Sequence, residues 1–141
     1  MMIKSVKLIF AFVTALFAFL LFARFPDLDI KLLGIGAHRN FFFHSAIFPA
    51  LGYFLLRKSD LRNIVVFSVC AFCSGMSFTL GIHLLFDTFQ KAAVKFPFFG
   101  SLVDGTSTDD RLWLGINSLL CLLVTYSLGK RIYTKIANKN Q

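Results

Sequence analysis

The chain reads as an all-α integral membrane protein: four transmembrane helices in one domain, residues 1–141, with both termini cytoplasmic. Three observations predict this. The composition is 57% hydrophobic and 16% charged, against about 45–50% and about 25% in soluble domains. The apolar residues gather into runs close to the length a bilayer requires. The basic residues fall in short segments between those runs, which is how membrane topology is encoded. That distribution also sets nucleic acid aside as the meaning of the formal net charge of +8.

The first run, Leu8 to Phe25, has 18 residues. At helical rise that is about 27 Å, close to a hydrocarbon core of roughly 30 Å. Lys4 and Lys7 before it give the start a signal-peptide flavour, but the run is long and further runs follow, which favours an uncleaved span. Pro26 is expected to stop the helix, and Phe25 to Asn40 reads as a loop carrying Asp27 and Asp29. The second span, Phe41 to Leu56, places His44 in its first turn and Pro49 in its middle, where a kink is expected. Arg57, Lys58, Asp60 and Arg62 make a compact turn.

The third span, Asn63 to Phe86, carries small residues at Cys70, Ser74, Ser77 and Gly81, a stripe suited to close helix packing. Cys70 and Cys73 have the spacing of a redox or metal motif, yet inside an apolar run they read, with Cys121, as packing residues. Asp87 to Arg111 is a substantial loop whose Phe96, Phe98 and Phe99 favour the membrane surface. Leu112 to Leu128 is the fourth span, with Trp113 as an interface anchor. Lys130 to Gln141 reads as a basic polar tail.

Four spans put the N-terminus, the 57–62 turn and the tail on one side, with nine lysines and arginines against six opposite. Six of the seven acids lie on the second side. The basic side is therefore cytoplasmic. All three histidines and those six acids then converge on the outer face.

His83 and Asp87 are four residues apart and share a helix face, so they can hold one metal ion or make helix-end hydrogen bonds. His44, in apolar surroundings, requires a partner. Asp27 and Asp29, at the C-terminal end of a helix, would face an unfavourable dipole, which favours a cation beside them. Asp109 suits a helix cap or a ligand; Asn117 follows Asp110 two turns on, along the same face. Arg39 suits phosphate or a headgroup anchor.

Together, Pro26-Asp27-Leu28-Asp29, His38-Arg39-Asn40-Phe41-Phe42-Phe43-His44-Ser45 and His83-Leu84-Leu85-Phe86-Asp87-Thr88 resemble the bacterial inner-membrane, LexA-regulated family of predicted metal-dependent hydrolases. That family carries Pro-Asp-x-Asp, His-Arg-Gly-x-Thr-His-Ser and His-x-x-x-Asp in this order. The pattern is also similar to the metal ligands of zinc-dependent phospholipase C enzymes. The likeness covers roughly Phe25 to Trp113. Asn40 replaces the family's glycine, Phe43 replaces its threonine, and one extra residue separates His38 from His44.

The resemblance implies a metal site built from Asp27, Asp29, His38, His44, His83 and Asp87, with Arg39 and Asp110 as candidate catalytic groups. Mixed imidazole and carboxylate ligands suit zinc, with manganese or iron as alternatives. At headgroup depth the implied reaction is metal-assisted hydrolysis of a phospholipid or lipid-linked phosphoester. Membrane lipids are the expected partners, and the short second span leaves room for a homo-oligomer. Two other classes fit the same residues. One is a structural metal or polar network holding the helices together. The other is a small transporter, although the ionisable residues stop at one face.

Overall fold

The computed structural model describes residues 2–33, 40–90 and 107–137, and every regular element among them is helical. The helices are α1 (Met2–Phe22), α2 (Leu28–Leu33), α3 (Ile47–Leu56), α4 (Ile64–Thr88) and α5 (Ser107–Ala137). Two helices are long and apolar enough to cross a membrane: Ile64–Thr88 and Arg111–Ala137. Val6–Phe22 and Ile47–Leu56 are shorter apolar helices.

α4 is the axis of the bundle, packed between α1 and α5, with α3 lying across α4 and α5. Its start is fixed by Asn63, whose Oδ1 accepts from the Val65 N–H at 2.8 Å. Small residues then let neighbouring backbones approach. A Cβ added at Gly75 would lie 2.3 Å from the Ala15 carbonyl oxygen, so only glycine admits α1 there. Thr79 Oγ1 lies 3.5 Å from the Phe19 carbonyl, so α1 and α4 advance in step, parallel to each other. On the other face Ser118 Oγ donates to the Gly81 carbonyl at 2.7 Å, and Ser74 Oγ to that of Thr125 at 3.4 Å, so α5 runs antiparallel to α4. Cys70, Ser77 and Gly81 of the small-residue stripe are buried, and Cys70, Cys73 and Cys121 are free cysteines.

Two apolar clusters stack along the axis. One gathers Ala18, Ala46, Met76, Leu80, Leu84, Leu114 and Cys121; the other gathers Ala11, Leu56, Leu61, Phe67, Cys70, Ala71 and Leu128. Outside them the helices expose apolar side chains such as Leu8, Phe12, Phe17, Leu20, Leu51, Phe54, Leu119 and Leu123. An apolar exterior on long helices accords with membrane association.

The elements depart from the sequence reading at their ends. α1 stops at Phe22 rather than Phe25, where a turn closes with the Phe25 N–H on the Phe22 carbonyl at 3.1 Å. The residue before a proline resists helical geometry, so the break comes ahead of Pro26. The expected 25–40 loop contains α2, with Asp29 in its first turn. Asp29 therefore sits at a helix start, and the dipole penalty expected of it does not apply.

The expected second span is helical only from Ile47; residues 41–46 form turns, so His44 precedes the helix. Ten residues cover about 15 Å, half a hydrocarbon core. Pro49 lies in the first turn of α3, where its missing N–H has no intrahelical partner to lose, and it breaks nothing. α4 runs two residues past Phe86, which brings Asp87 inside its last turn. α5 continues past Leu128 to Ala137, into the expected tail, because Lys130, Arg131 and Lys135 are good helix formers.

Candidate metal centre

Four side chains from three parts of the chain meet at one end of the bundle: Asp29 from α2, His44 from the turn before α3, and His83 and Asp87 from the last two turns of α4. His83 and Asp87 meet because helical residues four apart share a face, and His83 Nε2 lies 3.3 Å from Asp87 Oδ2. His44 Nε2 reaches the same oxygen at 3.4 Å. The two imidazoles face edge to face-on, with ring centroids 5.8 Å apart at 61°. On the other edge of the His44 ring, Nδ1 lies 3.4 Å from Asp29 Oδ2. Asp29 and His44 are fully buried, Asp87 nearly so, and the His83 side chain keeps 21% of its surface open.

The segment bearing His44 is held by hydrogen bonds from every side. Asn40 accepts at its carbonyl from the His44 N–H at 2.9 Å. The Asn40 N–H donates to Asp29 Oδ2 at 2.8 Å. Trp113 Nε1 donates to the His44 carbonyl at 3.3 Å. Asn117 Oδ1 accepts from the Ala46 N–H at 2.8 Å, capping α3 from another helix, while its Nδ2 donates to the Trp113 carbonyl at 2.9 Å. These bonds keep the 41–46 segment non-helical: its polar backbone groups are met by Asn40 and by α5 instead of by an extended α3. An aromatic wall dries the surroundings. Phe25 packs on Phe22, Phe43 and Phe48, and Phe41 on Trp113.

Both edges of His44 meet a carboxylate. A neutral imidazole donates from one nitrogen only, yet His44 presents each nitrogen to a carboxylate oxygen. A further proton, on the ring or on a carboxylate, or a metal on the Nε2 side reconciles the two contacts. His44, His83 and Asp87 are the group, among the described residues, whose ligand atoms lie within 4.8 Å of one another. Ligand atoms about 2.0–2.1 Å from a tetrahedral zinc ion are roughly 3.3–3.4 Å apart, which is the spacing of both His–Asp87 pairs. The donor set thus fits a divalent metal.

The other candidate residues fall elsewhere. Asp29 borders the group on the far side of His44, and Asp27 is half-buried outside it. His38 and Arg39 lie outside the described residues. Asp109 and Asp110 fall in the first turn of α5, with side chains outside the described residues. Trp113 acts as a donor to the His44 segment in addition to its expected place at the helix entrance. Sequence reasoning passed over the cap from Asn117 to Ala46. It also passed over Arg111, whose Nε is buried without a hydrogen-bond partner among the described residues. Neither bond partner is signalled by spacing, since Ala46 and Asn117 are 71 residues apart.

Comparison of the chain with protein-family models, curated proteins and solved structures finds no match.

Proposed function

We propose that this protein is a multi-pass membrane metal-dependent hydrolase acting on a phospholipid or lipid-linked phosphoester, with His44, His83 and Asp87 holding a divalent metal, zinc by preference. The observation that carries the reading is the convergence of two imidazole nitrogens on Asp87 Oδ2 at zinc-ligand spacing. The three-segment resemblance to a hydrolase family supports it. In this reading α1, α3 with its preceding turn, α4 and α5 are four spans. Both termini are cytoplasmic, the site is on the outer face, and the membrane is a bacterial inner membrane.

A zinc ion so held supplies Lewis acidity toward a phosphoryl oxygen and a water nucleophile at neutral pH. The chain's own residues position it. Asp87 carries the ligand charge, and the open edge of His83 marks the side from which a headgroup enters. The phenylalanine wall keeps bulk water from the buried side, which strengthens every charge interaction there. Arg39 and Arg111 are the cations assigned to the phosphate, and Asp110 the assigned proton carrier. The test is turnover of phospholipid and lipid-linked phosphate panels by detergent-purified protein with added zinc or manganese. Release of a water-soluble phosphate product, lost in His83→Ala, is expected. Full turnover in His83→Ala would overturn the assignment.

One observation favours a second reading. With a carboxylate on each edge, His44 also suits an imidazolium joining Asp29 to Asp87, a proton-held polar network that locks the bundle without metal or chemistry. Protein of this kind keeps its melting temperature when chelator or zinc is added, whereas metal-loaded protein loses stability in chelator.

A further inference from the structure

We infer that Asp29 is a positioning residue: it orients His44 for metal binding from behind and is not itself a ligand. The inference rests on the metal reading above and deepens it. Asp29 Oδ2 faces His44 Nδ1, while the metal group gathers at Nε2, so the two functions lie on opposite edges of one ring. A carboxylate there requires a proton on Nδ1, and a neutral ring then keeps its lone pair on Nε2, directed at His83 and Asp87.

The carboxylate is itself fixed. Asp29 is fully buried, and the Asn40 N–H donates to the same Oδ2 at 2.8 Å. That bond holds Oδ2 on the side of the ring. The ring's backbone is anchored independently, at the His44 carbonyl by Trp113 and two residues later by Asn117. Asp29 thus selects the tautomer, and α5 sets the position.

The experiment uses the full chain in detergent. Zinc affinity is measured by competition with a chromophoric chelator, and zinc content by elemental mass spectrometry, for wild type, Asp29→Asn, Asp29→Glu and Asp87→Asn. Asp29→Asn is expected to bind the same number of zinc ions with affinity about 10–100-fold weaker. Asp29→Glu is expected to recover part of that loss, and Asp87→Asn to lose the ion. Loss of stoichiometry in Asp29→Asn, equal to that in Asp87→Asn, would make Asp29 a ligand and overturn the inference. Unchanged affinity would overturn it as well.

A second measurement needs no folded variant. Nitrogen-15 spectra of histidine-labelled, zinc-loaded wild type are expected to show His44 bound through Nε2 with its proton on Nδ1. Zinc bound through Nδ1 contradicts the inference. If wild type binds no zinc, the metal reading fails on that result; zinc bound with equal affinity in wild type and Asp29→Asn fails this inference alone.

Discussion

The two ends of the bundle both tie α3 to α5, but with opposite chemistry. At one end Arg131 of α5 donates from Nη1 to the Leu56 carbonyl and from Nη2 to the Ser59 carbonyl at 2.8 Å. The guanidinium joins the Ser59 N–H and hydroxyl on the Leu56 carbonyl at the C-terminus of α3, where a cation complements the dipole. At the other end Asn117 caps the start of α3, but beside it sit two buried carboxylates and two imidazoles. A cation placed on carbonyls is complete in itself. Carboxylates facing both edges of one imidazole are not, and require a proton or a metal ion in addition. The Arg131 end therefore reads as architecture and the His44 end as a binding site.

Removing the cation should separate the ends most strongly. If zinc binds, saturation at one hundred times Kd stabilises the fold by about 2.7 kcal/mol. Chelator should remove that from wild type and leave Asp87→Asn unmoved, as read by thermal melting. Next comes Asn117→Ala. It leaves the buried Ala46 N–H unsatisfied, with an expected cost of about 1–3 kcal/mol and a measurable loss of zinc affinity, because the His44 segment is released. Arg131→Ala should lower stability by about 1 kcal/mol with zinc affinity unchanged. A change in affinity there would dissolve the distinction between the ends. Thr79→Val, at the α1–α4 contact beside Phe19, should cost about 0.6 kcal/mol and leave both ends as they are.

Much of the bundle was legible in the sequence because periodicity and composition report burial along each helix. The small residues of α4 announced close packing, and Gly75 and Gly81 carry it out. The pairing of His83 with Asp87 follows from a spacing of four within one helix. What spacing cannot show is a bond between distant segments. Nothing local marks Asn117 as the cap of Ala46, or the Asn40 N–H as the partner of Asp29. These two bonds explain why the second apolar run yields only ten helical residues and why Asp29 approaches His44 at Nδ1. Apolar content alone read Phe41 to Ala46 as helix; turn bonds to Asn40 and tertiary hydrogen bonds to α5 decide otherwise.

The central claim is that the His44, His83 and Asp87 end holds a metal ion. It is tested most directly by elemental mass spectrometry of detergent-purified protein, wild type beside the double variant His83→Ala, Asp87→Ala. About one equivalent of zinc or a related divalent metal in wild type, and none in the variant, is the expected result, since three ligand groups gather at one point. Wild type that carries no metal, even after zinc and manganese are offered, would contradict the claim and leave a proton-held network in its place.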